Sequence, residues 1–138
     1  MDTKQLQLFN QKIIEEFRAN DGAVGGDFAG APMLLLTTIG AKSGEARLNP
    51  LVYGIDGDQM FVIASKAGAP SHPHWYLNLK ANPQVTLEVG SEKFTARAVE
   101  VSEPERTRLF HQMAEAMPVF KTYEAKADRV IPVVKFER

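Results

Sequence analysis

From Met33 onward the chain is cut into short runs of β-type residues, and this punctuation limits the fold more than any other feature. The runs are Met33 to Ile39, Arg47 to Ile55, Met60 to Ser65, Gln84 to Val89, Phe94 to Val101 and Val130 to Phe136. Each has the length and the apolar or β-branched content of a strand. Asp56-Gly57-Asp58 separates the second run from the third, and Val89-Gly90-Ser91-Glu92 the fourth from the fifth. Gly and Asp accept the backbone angles of tight hairpins, so neighbouring strands are expected to be mostly antiparallel. About six such strands predict a small barrel, mainly β within an α+β chain, with helices at its flanks.

Helical signals surround this core. Leu6, Phe9, Ile13 and Phe17 recur at three- and four-residue spacing, which predicts an amphipathic helix over residues 3 to 19. Residues 20 to 30 carry four glycines and no period, so they read as a connection that leaves docking, or exchange into a homodimer, open to the helix. Residues 1–30 are thus expected to form a helix with its linker, and 31–138 the barrel. Pro73 to Lys80 predicts a short helix stopped at Asn82-Pro83. Ser102 and Glu105 have capping-box spacing ahead of a helix that reaches Pro118.

With 138 residues and 44% apolar content, one hydrophobic core is expected. Sixteen Lys and Arg balance seventeen Asp and Glu, so no global field favours nucleic acid, and any anion site must be local. The absence of cysteine removes thiolate metal sites and thiol nucleophiles, and redox chemistry would need a borrowed cofactor. No apolar run is long enough to cross a bilayer, which makes a cytoplasmic protein the default expectation. Lys4, Lys12 and Arg18 are offset by Asp2, Glu15 and Glu16. Membrane attachment through the first helix is therefore expected to be weak, and docking on the protein is favoured.

Two loops concentrate chemistry. Gly40-Ala41-Lys42-Ser43-Gly44-Glu45-Ala46-Arg47 places two glycines, a hydroxyl and two cations in one turn. Such a turn can wrap an anion with backbone N–H groups, a point charge and a planar guanidinium. It is not a nucleotide P-loop, because Leu35 stands where the first glycine is needed and a strand follows instead of a helix. A solvated hairpin turn is the plainer reading of the same residues. Ser65-Lys66-Ala67-Gly68 repeats the hydroxyl, cation and glycine after the third strand. If the second and third strands pair through the Asp56-Gly57-Asp58 turn, Arg47 and Lys66 sit equally far from it and should be adjacent. His72 and His74 flank Pro73 without cysteine or obvious carboxylate partners, so no metal site is expected. Trp75 and Tyr76 suit core or rim packing better than ligand stacking. Tyr123 and Phe120 could form one face over a cavity or close the barrel end. No Gly-x-Ser-x-Gly elbow is present, which counts against a hydrolase.

Several segments together resemble the deazaflavin-dependent nitroreductase family. They are Leu34 to Gly44, then Arg47, Asn49-Pro50-Leu51, Ala64-Ser65-Lys66, Trp75 to Pro83 and Asp128 to Val134. The resemblance implies a split β-barrel related to flavin mononucleotide-binding oxidoreductases. It also implies coenzyme F-420 as cofactor and hydride transfer to a small electron-poor acceptor. By the same resemblance Lys42, Ser43, Gly44, Arg47 and Lys66 hold the anionic tail. Asn49, Pro50, Ala64 and Ser65 then line the deazaflavin, and Trp75 and Lys80 close its far side. Tyr123 is the candidate proton donor, with Ser65 as a second hydroxyl. Met117 and Phe120 stand where the best-known nitroreductases carry tyrosines, which counts against nitroimidazoles and leaves quinones and α,β-unsaturated carbonyls or lactones. The alternatives are a flavin mononucleotide reductase on the same barrel and a non-catalytic deazaflavin carrier.

Overall fold

A computed structural model describes residues 3–26 and 29–138; Met1, Asp2 and the linker residues Asp27 and Phe28 lie outside the described residues. In chain order the elements are α1 (Thr3–Ala19), β1 (Met33–Ile39), β2 (Ala46–Val52), β3 (Gly54–Asp56), β4 (Gln59–Ile63), a 3-10 turn (Lys66–Gly68) and α2 (His74–Ala81). They continue with β5 (Gln84–Val89), β6 (Glu92–Glu100), α3 (Glu105–Ala116), α4 (Val119–Ala127) and β7 (Val133–Glu137). The strands form one seven-stranded sheet in the order β2-β1-β5-β6-β7-β4-β3, with every neighbouring pair antiparallel. Its two outermost strands are halves of one chain run, joined through Tyr53, so the sheet bends back on itself.

That bend corrects the expected second strand. The run from Arg47 to Ile55 breaks at Tyr53, whose N–H donates in register to the Pro32 carbonyl at 3.0 Å as the last bond of the β1–β2 ladder, because Pro32 has no N–H to return. Gly54 permits the crossing: a Cβ there would stand 2.5 Å from the Phe61 ring. The last strand begins at Val133 rather than Val130, because Pro132 has no N–H to offer a ladder and Val130 is exposed. The expected capping box is also replaced. α3 starts after Pro104, and the Glu103 carboxylate, not Ser102, accepts the N–H and hydroxyl of Thr107 at 2.8 and 2.7 Å. α4 is an additional helix beyond Pro118.

Side-chain alternation places the core. On β1, Leu34 and Leu36 enter a cluster with Val62, Ala64, Trp75, Leu79, Leu87 and Val134. Met33 and Leu35, on the other face, lie under Ile13, Ile14 and Phe17 of α1. β4 divides likewise: Phe61 and Ile63 meet Leu109, Phe110 and Met113 of α3 and Phe120 of α4. Strands covered on both faces explain why Met33 to Leu36 is one continuous apolar stretch, and each fully buried leucine there contributes about 1.5–3 kcal/mol. Of the predicted α1 stripe, Ile13 and Phe17 are buried while Leu6 and Phe9 remain exposed.

Candidate active site

The β1–β2 turn is exposed and internally tied. Gly40 N–H donates to the Glu45 carbonyl at 2.8 Å, Gly44 N–H to the Gly40 carbonyl at 2.9 Å, and Glu45 N–H to the Ser43 hydroxyl at 3.2 Å. Gly44, at φ +72°, takes a conformation that L side chains rarely adopt. A buried residue of α2 anchors this turn: Asn78 accepts the Ala41 N–H at 3.0 Å and donates to the Thr38 hydroxyl at 3.2 Å. Lys42 stays exposed, and Arg47 reaches Glu45 at 3.3 Å. Asn49 and Pro50 are half-buried on β2, opposite Leu36 and Leu35. Alternation puts Arg47 and Asn49 on the same face as Leu51, which packs on the barrel interior, and away from α1.

The second loop follows β4. Ala64 and Ser65 are buried, and Lys66 is exposed. After Ser65 in the right-handed region, Lys66, Ala67 and Gly68 have φ of 48°, 53° and 82°. For the two non-glycine residues this costs roughly 1–2 kcal/mol each. A right-to-left succession turns consecutive N–H groups into a concavity that suits an anion. Gly68 packs against α4, where a Cβ would stand 3.2 Å from the Tyr123 Cα and the Lys126 side chain. The loop carrying Ser65 and Lys66 therefore rests on the helix that carries Tyr123. The Tyr123 ring is half-buried and meets Phe120 edge-on at 5.4 Å.

Strand pairing does not join the two loops as expected. The Asp56-Gly57-Asp58 hairpin carries its register only to Gly54↔Phe61; beyond it Arg47 pairs with Thr38, and Ile63 with Val133. What relates the loops is α2. The His72 ring, just before this helix, lies 4.8 Å from Tyr76 beside the second loop, while Asn78 holds the first. Trp75 is buried in the core cluster, so most of its surface serves packing. Lys80 bonds to Glu100 at 2.9 Å, and Glu100 also accepts the Tyr76 hydroxyl at 2.5 Å. Burial, helped by Glu100, pushes the Tyr76 phenol up to about 12. Burial works to raise Glu100 as well, but the bonds from Tyr76 and Lys80 prevail and hold it below the usual range.

Sequence reasoning overlooked Asn78 and Arg129. Arg129 lies between α4 and β7 and donates to the carbonyls of Ala69, Ala64 and Ser65, each at 3.1 Å, with His72 Nδ1 also at 3.1 Å. The available signal was a cation lodged beside the apolar closing run Val130 to Val134. Two surface depressions, of about 620 and 350 Å³, lie elsewhere, along β5, β6 and the end of β7. No predicted site residue lines them. Their shared cation, Arg138, is taken up by Glu92 and the Phe94 ring, so the chemistry favours the two loops.

A family profile described as F420H(2)-dependent quinone reductase matches residues 10–137. An F420H(2)-dependent quinone reductase of Mycobacterium tuberculosis is 40% identical over 126 residues, covering 88% of this chain and 85% of the relative. A solved F-420-dependent reductase (FDR-A) has 40% identity and a TM-score of 0.70, over 77% of this chain and 94% of its own. A second solved structure, described as a domain-swapped dimer, has 35% identity and a TM-score of 0.72, over 99% of this chain and all of its own. The profile spans both cation-bearing loops, α2 and Tyr123, and the chain belongs to the F-420-dependent quinone reductase family.

Proposed function

We propose that this protein reduces a quinone-type acceptor with reduced coenzyme F-420, gripping the cofactor's anionic tail through Lys42, Arg47 and Lys66. The observation that carries this reading is the family match over residues 10–137, which takes in every residue of the proposed site. The residues present fit such a ligand. Exposed cations stand on two loops tied together by one helix, and the second loop has the backbone turn that favours an anion. Glu45 holds Arg47 at 3.3 Å, so ligand phosphate or carboxylate has to compete with an exposed ion pair of little strength.

When bound, the reduced deazaflavin supplies a hydride. The chain's own part is to bind, orient and exclude water. The backbone of Asn49 and Pro50 on β2, and of Ala64 and Ser65 at the end of β4, lines the ring in this reading, with Trp75 and Lys80 forming the wall behind. Tyr123 holds a phenolic proton for the reduced acceptor, and the Ser65 hydroxyl is the second donor. Met117 and Phe120 leave the acceptor side apolar, which suits quinones and enones. For the assembly we infer a homodimer formed by exchange of α1 across the glycine-rich connection, since α1 packs its Ile13, Ile14 and Phe17 on β1 without being part of the sheet.

The test is anaerobic mixing of the purified protein with reduced F-420 and menadione, an enone or a nitroaromatic. Rapid cofactor oxidation with menadione is the expected result. Tight F-420 binding without turnover of any acceptor would make the protein a carrier, and tighter binding of flavin mononucleotide would overturn the cofactor assignment. Light scattering of native protein and of a form lacking α1 tests the exchanged dimer.

A further inference from the structure

We propose that Arg129, acting with a neutral His72, is a positioning residue that holds the Ala64–Ala69 loop in its left-handed form and thereby sets the affinity of the Lys66 site. The brace stands on the geometry of Arg129; its effect on affinity rests on the function proposed above.

The guanidinium meets both ends of the loop. Its Nη2 donates to the carbonyls of Ala64 and Ser65, where the chain leaves β4, and its Nε donates to the Ala69 carbonyl, where the chain departs toward α2. Within the loop, Gly68 N–H to Ser65 O and Ala69 N–H to Lys66 O, both 3.0 Å, oppose the unfavourable backbone of Lys66 and Ala67, beside the Lys66 Nζ bond to the Ser71 hydroxyl at 3.2 Å and the packing of Gly68 on α4. Left-handed non-glycine residues persist where surrounding contacts over-determine them, and Arg129 supplies three further bonds in one plane. A lysine has no such fork.

The fourth contact fixes a protonation state. Arginine has no acceptor, so the His72 Nδ1 that faces it at 3.1 Å must be unprotonated and accept. Three elements face His72: Arg129 from the segment before β7, the Tyr76 ring from α2, and Glu100 from the end of β6, itself engaged by Tyr76 and Lys80. Burial, reinforced by Arg129 and opposed by Glu100, lowers the His72 pKa below its ordinary value. The folded protein therefore binds this proton less readily than the unfolded chain. The brace is complete above the ordinary histidine value of about 6.5 and is lost as pH falls through the lowered value that His72 has in the folded protein.

Hydrogen exchange of the Gly68 and Ala69 amides reads the brace without any cofactor, and fluorescence titration with F-420 reads its effect. In Arg129→Lys these two amides should exchange at least about tenfold faster while the β1 and β5 amides stay protected. The F-420 Kd should rise by about tenfold or more, the scale of one lost charged hydrogen bond, with kcat at saturating cofactor little changed. In native protein the Kd should rise as pH falls through the lowered His72 value, below about 6.5, and His72→Gln should flatten that profile. Unchanged loop exchange in Arg129→Lys, or faster exchange throughout the sheet, would overturn the brace; loosened amides with a native Kd would overturn its link to the site. If native protein fails to bind F-420, the cofactor reading falls while the amides still decide the brace. Should Arg129→Lys not fold, the same amides in native protein and in His72→Gln, followed from about pH 7.5 down through the titration of the His72 ring, decide it, and a native response that stays flat across that titration would overturn the proposal.

Discussion

At the scale of residues, the proposed roles divide into charges to grip the cofactor and hydroxyls to deliver a proton, and each can be tested. Alanine at Lys42, Arg47 or Lys66 should each weaken F-420 binding by about tenfold, at the low end for charged hydrogen bonds because all three are exposed. The loss should shrink as salt rises, since exposed charges are screened over about 10 Å at 0.1 M. Titration of native and variant protein at two ionic strengths checks both statements. Tyr123→Phe keeps the ring against Phe120 and removes only the hydroxyl. Cofactor affinity should stay native while turnover with menadione falls by about 10²-fold or more, the usual value of general acid assistance. Unaltered turnover would remove Tyr123 from proton delivery. While Tyr123 was proposed from the resemblance, the two loops that carry the proposed cations and Ser65 were visible in the sequence because hydroxyls, cations and glycines stand out in short turns. Arg129 was not, because its value lies in three carbonyl oxygens, and every residue brings a carbonyl whatever its side chain.

Among the elements, the contact between the second loop and α4 decides whether the site keeps its shape. Gly68→Ala puts a methyl 3.2 Å from Tyr123 Cα and from Lys126, at φ +82°. The expected cost is about 1–3 kcal/mol, seen as a lowered thermal midpoint together with weaker F-420 binding. Phe17→Ala in α1 empties a fully buried ring position against Met33 and Leu35, and should cost about 3–5 kcal/mol in denaturant unfolding while leaving the cation loops intact. The strands were readable because period and turn chemistry are local. The break at Tyr53 was not, because it is set from a distance, by Pro32 on the facing strand, which has no N–H to extend the ladder, and by a Phe61 ring that leaves room only for a glycine at position 54. With that break unseen, an adjacency of Arg47 and Lys66 was expected through a pairing that does not form; the segment from His72 to Asn78 instead reaches both loops, Asn78 touching the first directly and His72 meeting the second through Arg129.

Over the whole molecule, one carboxylate lashes three parts together. Asp56, in the β3–β4 hairpin, meets Arg108 of α3 at 3.1 Å and Lys135 of β7 at 3.0 Å, and Lys135 also bonds Glu105. The bonds from Arg108 and Lys135 hold the Asp56 carboxyl at about 2. Because this folded value lies below the ordinary one, the contribution is present above about pH 3.8 and is lost as pH falls through about 2. Thermal midpoints measured between pH 5 and pH 2 should fall in native protein and change less in Asp56→Asn; parallel curves would show that the lashing contributes nothing.

The place of β7 in the sheet also sets an order of events in time. β7 lies between β6 and β4, and its partner residues on β4 are at least 70 positions away in sequence. Until it inserts, the chain can assemble only two separate pieces, the four strands β2-β1-β5-β6 and the small β3–β4 hairpin. Such remote pairings close late and slowly. Val134→Ala should therefore speed unfolding and leave the folding rate nearly unchanged, which stopped-flow chevrons read directly. Arg129 stands immediately before that strand, so the loop that bears Lys66 receives its last bonds in the same step that completes the barrel. A partly folded chain, with its early hairpins already formed, would still be unable to grip its cofactor.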